Sequence, residues 1–274
     1  MIFKSLLPFI AIGLFLLVFI CRKRAIGALG WLFFAVYCAS EVSYYLNKDE
    51  YFDASIAIIF LAFTLLSATF MAIPTSMLSN KEDEDLFFAL TKFALITAIF
   101  YFPVSEIPAL ETLIIFITTK ITTTVLTFFN VGAYMVYPSS IYATTSSFHA
   151  VYKPIEIVLA CTAIQSMVLF AGLVFSVNAP LNRKLKAFLV SVPTIYVLNI
   201  VRNVFVAAAY FEQWFGPPLQ SFYIAHGIMA RIFVMISLIA VAYAVFMILP
   251  ETLDLIENFF RFLLRKRDNK ENSE

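Results

Sequence analysis

The chain has 274 residues, of which 62% are hydrophobic, 17% aromatic and only 14% charged, and its mean hydropathy is +0.89. Soluble domains carry about 25% charged residues. The 19 basic and 18 acidic side chains are therefore too few to cover a compact soluble core of this length. This composition excludes a soluble enzyme, a nucleic-acid binder and a disordered tail, and it indicates an integral membrane protein.

Apolar stretches of about 20 residues, the length that crosses a bilayer, recur along the whole chain. We predict seven transmembrane helices, at 5–21, 25–46, 54–77, 86–104, 156–177, 187–209 and 223–249. The first is predicted to be an uncleaved anchor, because its basic residues follow the apolar run instead of preceding it. No repeat interrupts these segments, so residues 1–250 are assigned to a single transmembrane domain.

Basic residues cluster at three places that should face the cytoplasm by the positive-inside rule. The clusters lie at 22–24, 183–186 and 261–270. The first follows one crossing and the last follows all of them, so the number of crossings must be odd. We therefore predict a multi-pass protein of the plasma membrane with a cytoplasmic C-terminus. Residues 251–274 are predicted to form an amphipathic helix and a polar tail on the cytoplasmic surface.

An eighth apolar segment, about 111–135, contains Lys120 and seven threonines. Since eight crossings would break the odd count, we predict an interfacial or re-entrant helix on the outer side. The alternative is an ordinary eighth span with a weaker charge rule.

Residues 131–154 follow, with Tyr, Val, Ile and Thr on both sides of Pro138-Ser139-Ser140. This pattern predicts a short extracytoplasmic β-hairpin, so the outer-side helix and hairpin together occupy about 111–155. An extended strand at this point could bind a peptide by edge pairing, and the alternative is a structural cap.

Two arginines lie in the middle of predicted spans, where a charge is costly and commonly functional. They are Arg202, in Asn-Ile-Val-Arg-Asn, and Arg231, in Met-Ala-Arg-Ile-Phe. At 1.5 Å per residue, Cys161 and both arginines lie about 10–12 Å below the outer boundary. A thiolate is a nucleophile, and arginines beside it could stabilise both the thiolate and an oxyanion. The alternative for each arginine is a structural bridge.

Four further residues could support such a site. His226 has a pKa range suited to proton transfer, although five residues separate it from Arg231, about 140° around an α-helix. Gln165 is one helical turn from Cys161 and Asn199 is one turn from Arg202, so both could orient the site, or simply join helices. Glu156 could be a base, a charge partner or a helix N-terminal acid. The two histidines have no metal-ligand spacing, and neither a metal nor a cofactor is predicted.

The block Glu156-Ile-Val-Leu-Ala-Cys161-Thr-Ala-Ile-Gln-Ser, followed by Asn199-Ile-Val-Arg202-Asn and His226-Gly-Ile-Met-Ala-Arg231, resembles the archaeosortase branch of the exosortase/archaeosortase family. This resemblance implies a membrane-embedded cysteine transpeptidase with Cys161 as nucleophile and Arg202 and Arg231 completing a triad. In bacterial exosortases the third position is described as histidine, so His226 or Arg231 could fill it. Ala163 departs mildly from the family, in which glycine is commoner at that position.

The predicted function is cleavage of a C-terminal sorting signal, made of a short motif, a transmembrane helix and a basic tail, from exported surface proteins. The cleavage would pass through a thioester on Cys161 in a pocket facing away from the cytoplasm, and a membrane lipid would accept the new C-terminus. The alternative from another class is a small transporter or lipid-binding protein whose arginines bind an anionic substrate.

Overall fold

The computed structural model describes residues 2–73, 81–145 and 152–271. Its α-helices are α1 (Ile2–Cys21), α2 (Arg24–Leu46), α3 (Tyr51–Ala72), α4 (Lys81–Glu106), α5 (Pro108–Phe128), α6 (Ile164–Ser176), α7 (Leu181–Phe211), α8 (Pro218–Phe222), α9 (Ala230–Ile248) and α10 (Glu251–Glu271). Three short strands are β1 (Ala133–Val136), β2 (Ser140–Ala143) and β3 (Ile155–Glu156). A 3₁₀ turn covers Leu159–Thr162, and a π-helix over Tyr223–Met229 joins α8 to α9.

Six helical stretches of the described chain are long and apolar enough to cross a membrane, at 24–46, 54–72, 84–106, 108–128, 181–211 and 218–248. Two further apolar helices are shorter, at 6–21 and 164–176. The prediction of a mostly helical, polytopic membrane protein is therefore confirmed. The count of seven crossings and their orientation stay predictions.

Two of the predicted segments need correction. Residues 156–177 do not form one helix, because their first eight residues make a strand and a 3₁₀ turn and α6 has only 13 residues. A short apolar run rich in β-branched residues fits a buried strand as well as a helix, so periodicity did not separate the two. The segment predicted at 111–135 is a helix only to Phe128, and its last residues belong to β1. The helix Pro108–Phe128 is long and apolar enough to cross a membrane.

The chain divides into two compact units. The first comprises Met1–Phe102, Phe175–Asn178 and Leu253–Glu274, and the second comprises Pro103–Val174 and Ala179–Thr252. The assignment of residues 1–250 to one domain stays a prediction. In the first unit, Trp31 is 1% exposed and its indole N–H donates to Thr91 Oγ1 at 3.2 Å. A Cβ at Gly30 would lie 2.8 Å from the Phe15 ring, so glycine lets α1 and α2 approach closely.

The second unit holds the sheet. Its strand order is β1-β2-β3 and both pairings are antiparallel, with Ala133 opposite Ala143 and Ile141 opposite Ile155. The inward side chains of the sheet pack with α5 and with the alanines near the end of α7, and these buried residues are Leu126, Val131, Ala133, Ile141, Ile157, Ala207 and Ala208. Small side chains on α7 allow this close contact between sheet and helix. The sheet is thereby fixed to α5 and to α7, and α7 carries Asn199, Arg202 and Asn203.

Candidate active site

Cys161 lies in a 3₁₀ turn between β3 and α6. Its backbone N–H donates to the Val158 carbonyl at 2.8 Å, and the Thr162 hydroxyl donates to the Leu159 carbonyl at 2.7 Å. The sulfur-bearing residue is therefore part of a tight corner and not of a transmembrane helix. The depth calculated for Cys161 from a rise of 1.5 Å per residue does not hold, because the chain from 154 to 163 is not α-helical.

The corner ends at Ala163, which has φ +59° and ψ +11°. This left-handed conformation costs an L-residue with a Cβ about 1–2 kcal/mol, and glycine adopts it freely. The commoner glycine that the family resemblance implies at this position therefore has a backbone reason. After Ala163 the chain enters α6, where the Met167 N–H donates to the Ala163 carbonyl at 3.0 Å.

Two asparagines on α7 hold the backbone of Cys161. The side-chain amides of Asn199 and Asn203 both donate to the Cys161 carbonyl oxygen, at 2.7 Å and 2.9 Å. The two residues are 8% and 6% exposed, so these bonds are made where water competes little. Because they are four residues apart on one helical face, they form a two-point clamp that fixes the corner against α7.

Arg202 continues this hydrogen-bonded group. Its Nη1 donates to Asn203 Oδ1 at 3.1 Å, and its Nη2 lies 3.3 Å from His226 Nε2. A guanidinium can only donate, so His226 Nε2 accepts and the ring carries its proton on Nδ1. The Asn203 amide uses both ends at once, donating to Cys161 and accepting from Arg202. A continuous chain of bonds thus joins the Cys161 backbone to His226 across three segments.

His226 is held in the π-helix between α8 and α9. Its ring stacks on Phe222, with centroids 5.0 Å apart and planes at 6°. A π-helix has hydrogen bonds from i to i+5 and more residues per turn than an α-helix. The separation of about 140° between His226 and Arg231 was calculated for an α-helix, and the π-helix over Tyr223–Met229 removes that premise. Both Arg202 and Arg231 act electrostatically on the His226 ring.

The three remaining predicted site residues are exposed. Arg231 is in the first turn of α9 and is exposed. Gln165 is exposed on α6, beyond the left-handed Ala163, so it does not share a helical face with Cys161 as expected. Glu156 is exposed on β3. It is not a helix N-terminal acid, because α6 begins eight residues later.

Asn203 was not among the candidate residues, although it makes two bonds of the group. Its spacing of four residues from Asn199 was the available signal, since polar residues at i and i+4 share one face of a helix. Their common acceptor, the Cys161 carbonyl, could not be inferred from the spacing, because it depends on the 3₁₀ turn.

Besides the asparagine clamp, the corner contacts apolar residues. Cys161 packs against the buried cluster of the sheet, as Val204 does. On α5, Thr118 and Thr122 are fully buried, and within the described chain their hydroxyls have no hydrogen-bond partner. A surface cavity of about 390 Å³ lies elsewhere in this unit, at the open end of the hairpin. It is lined by residues such as Gly132, Tyr152 and Glu212, and we do not assign the chemistry to it.

The fold and the site define a multi-pass membrane protein in which a cysteine corner, two asparagines, an arginine and a histidine form one hydrogen-bonded group. In the described ranges, no three His, Cys, Asp or Glu side chains are grouped so that they could hold a metal ion. The family described as transmembrane exosortase (Exosortase_EpsH) matches residues 5–243. The chain therefore belongs to the exosortase/archaeosortase family.

Two curated relatives bear the same family name. The chain is 36% identical over 118 residues to archaeosortase A of Haloferax volcanii. The matched region covers 38% of this chain and 39% of that protein. It is also 36% identical over 118 residues to archaeosortase A of Natronomonas pharaonis. Here the matched region covers 37% of this chain and 38% of that protein. The match thus spans about two fifths of the length of each relative. No solved structure matches the chain.

Proposed function

We propose that the chain is a membrane-embedded cysteine transpeptidase. It removes a C-terminal sorting signal, consisting of a short motif, a transmembrane helix and a basic tail, from exported surface proteins. Cys161 is the nucleophile, and the new C-terminus is transferred to a membrane lipid. The active site faces the extracytoplasmic side and the C-terminus of the chain lies in the cytoplasm.

The observation that supports this proposal most strongly is the hydrogen-bonded chain from the Cys161 carbonyl through Asn203 and Arg202 to His226. A buried carbonyl needs one hydrogen-bond donor, whereas that of Cys161 has two, and one of these amides also accepts from Arg202. Here a buried clamp fixes the residue that carries the thiol, and the same clamp orients a cation. Positioned nucleophiles and fixed charges are what acyl transfer requires.

In the first half of the reaction, the Cys161 sulfur attacks the carbonyl carbon of the scissile peptide bond and a C–S bond forms. The negative charge that develops on the carbonyl oxygen is stabilised by two guanidinium groups, that of Arg202 from α7 and that of Arg231 from α9. Arginine stays protonated in proteins, so neither side chain acts as the base.

Collapse of the tetrahedral intermediate breaks the C–N bond and leaves a thioester on Cys161. The leaving amine takes up the proton that the thiol gives up. Among the residues of the hydrogen-bonded group, His226 is the one whose ring can carry a proton between the two sites. Its Nδ1 already carries a proton, so Nε2 is the nitrogen that accepts the thiol proton, and it becomes free when Arg202 turns from the ring to the substrate's carbonyl oxygen.

In the second half, a hydroxyl of a lipid head group attacks the thioester carbonyl. An ester of the substrate's new C-terminus forms, the C–S bond breaks, and the sulfur regains a proton. Water could attack in the same way and would give a free carboxylate. Cys161 packs against the apolar cluster of the sheet, and an apolar wall beside the thioester favours a lipid acceptor over water.

The test is co-expression of the chain with tagged exported proteins of the same cell, followed by mass measurement of their C-termini. We expect wild type to give a truncated, lipid-modified C-terminus, and Cys161→Ala to leave the full-length protein. Cys38→Ala is the matched control, because Cys38 is a buried packing residue of α2 and should not affect processing. If Cys161→Ala processes like wild type, the proposal is wrong and the anionic-substrate transporter has to be considered.

A further inference from the structure

The strand that leads into the cysteine corner has one unpaired edge. β3 is the outer strand of the sheet order β1-β2-β3. Toward β2, its neighbour Ile157 donates its N–H to the Ser139 carbonyl at 2.9 Å, and Ile155 lies opposite Ile141. Backbone groups alternate in direction along a strand. The N–H and carbonyl of Glu156, between these two residues, must therefore point away from the sheet.

This outward edge is accessible. Glu156 is exposed, and Val158, the next residue whose N–H points the same way, is 51% exposed. In the portion of the chain covered by the structure, no strand pairs with this side of β3. The Val158 carbonyl already accepts from the Cys161 N–H, so the edge runs directly into the cysteine corner. An open row of backbone donors and acceptors is a template for an added strand.

We propose that the Glu156 edge of β3 binds the substrate as a fourth strand. The occupant is the extended segment that precedes the cleaved bond, and it runs parallel to β3 toward Cys161. The Glu156 N–H donates to one substrate carbonyl, and the Glu156 carbonyl accepts an N–H two residues further along the substrate. This inference rests on the proposed function, because it assumes that Cys161 attacks a peptide.

Distance supports this register. From Glu156 to Val158 the chain is extended at about 3.3 Å per residue, and the 3₁₀ turn adds about 2.0 Å per residue, so Cys161 lies within about 13 Å of Glu156 along the chain. A substrate strand at about 3.3 Å per residue covers that distance in about four residues. Pairing at Glu156 therefore presents a bond three or four residues later to the sulfur. The same pairing keeps the acyl part of the substrate, which is bound to Cys161 as a thioester, in position until the acceptor attacks.

Pairing through the backbone makes an experimental prediction that side-chain recognition does not. Once the cleaved bond of a processed protein is known, synthetic peptides spanning it can carry one N-methyl group each, at five successive positions before the bond. An N–H that bonds to β3 is lost in one peptide and retained in its neighbours. We expect KM to rise about tenfold at the position whose N–H bonds to the Glu156 carbonyl and to change little at the positions on either side of it, an alternation that reflects the loss of one net backbone hydrogen bond.

The protein side has a matched pair of variants. Glu156→Pro removes the outward N–H and leaves the Ile157 N–H bond to Ser139 intact, and proline is tolerated at a sheet edge. Glu156→Ala removes the carboxylate and keeps the N–H. We expect Glu156→Pro to raise KM about tenfold above the KM of Glu156→Ala with a similar kcat in both, because the two variants lack the same carboxylate and differ in the backbone N–H.

The outcomes separate this inference from the proposed function. If wild type cleaves the unmodified peptide but the N-methyl series shows no alternation, edge pairing is wrong while the cysteine mechanism stands. Equal KM values for Glu156→Pro and Glu156→Ala would overturn it as well. Should Glu156→Pro fail to fold, the N-methyl series on wild type decides. Cleavage of the unmodified peptide by Cys161→Ala would instead refute the proposed function.

Discussion

Replacing Asn203 tests the link between the cysteine corner and the arginine. Asn203→Ala removes the donor that lies 2.9 Å from the Cys161 carbonyl and the acceptor that lies 3.1 Å from Arg202 Nη1. Asn199→Ala removes a single donor, at 2.7 Å from the same carbonyl, and leaves Arg202 untouched. The two variants delete the same amide from neighbouring turns of α7, so each serves as the control for the other.

The expected decreases in kcat follow from the hydrogen bonds that each side-chain amide makes. A neutral hydrogen bond contributes about 1 kcal/mol and a bond to a charged group about 1.5–3 kcal/mol. Asn203→Ala therefore loses about 3 kcal/mol of hydrogen bonding that positions Cys161 and Arg202. A loss of that size in the transition state corresponds to a decrease in kcat of about 100-fold. Asn199→Ala loses about 1 kcal/mol, or about fivefold, because Asn203 still holds the carbonyl.

The assay compares three quantities for each purified variant: kcat on a processed substrate, the thermal unfolding midpoint, and the rate of Cys161 alkylation as a function of pH. Asn203→Asp is added because it keeps an acceptor for Arg202 but opposes the Cys161 carbonyl with a negative charge. We expect its alkylation profile to move to higher pH, since a negative charge added next to the Cys161 backbone disfavours the thiolate of the same residue. A purely structural role of Asn203 would not move that profile.

Three results would refute the reasoning. The first is Asn203→Ala with wild-type kcat. The second is equal losses in kcat for the Asn199 and Asn203 variants. The third is a decrease in kcat explained entirely by a lower unfolding midpoint with an unchanged alkylation profile.

Three further predictions concern the backbone, a surface ion pair and the core. Ala163→Gly should raise the unfolding midpoint, because glycine adopts φ +59° without the cost of about 1–2 kcal/mol, whereas Ala163→Val should lower both the midpoint and activity. A bond from its own amide, together with Arg183 at 2.7 Å, holds the pKa of Glu251 below its ordinary 4.5. This contribution to stability is therefore present above pH 4.5 and is lost as pH falls through the lowered value, and Glu251→Gln should abolish that part of the pH dependence of the midpoint. Thr91→Val should destabilise the fold by about 1–3 kcal/mol in thermal unfolding, because it leaves the buried Trp31 N–H without its acceptor.

The sequence predicted the features that depend on composition and periodicity. The polytopic helical architecture follows from apolar runs of spanning length, and the strands on either side of Pro138 lie where β-branched and aromatic residues gather. The candidate arginines stood out because charged groups are costly inside apolar segments. Arg202 could therefore be chosen before its contacts were known, whereas Cys161 was chosen from a helical depth that its 3₁₀ turn does not support.

Features that depend on tertiary pairing could not be read from the sequence. The run from Ile155 to Val158 is extended because β2 pairs with it, and an apolar run of this length carries no helical signature to exclude that pairing. The π-helix around His226 changes which residues share a face, and its sequence has no local marker. The clamp on the Cys161 carbonyl exists only because the 3₁₀ turn presents that oxygen to α7.

The central claim is that the sulfur of Cys161 becomes acylated by the substrate, and trapping the enzyme during a single turnover tests it most directly. Wild-type enzyme mixed with a processed substrate, quenched in acid and digested, should yield a Cys161 peptide whose mass is increased by the acyl portion of the substrate. That mass increase should disappear on treatment with hydroxylamine, which cleaves thioesters. Cleaved substrate in the same reaction without any acylated Cys161 peptide, or cleavage by Cys161→Ala, would contradict the account.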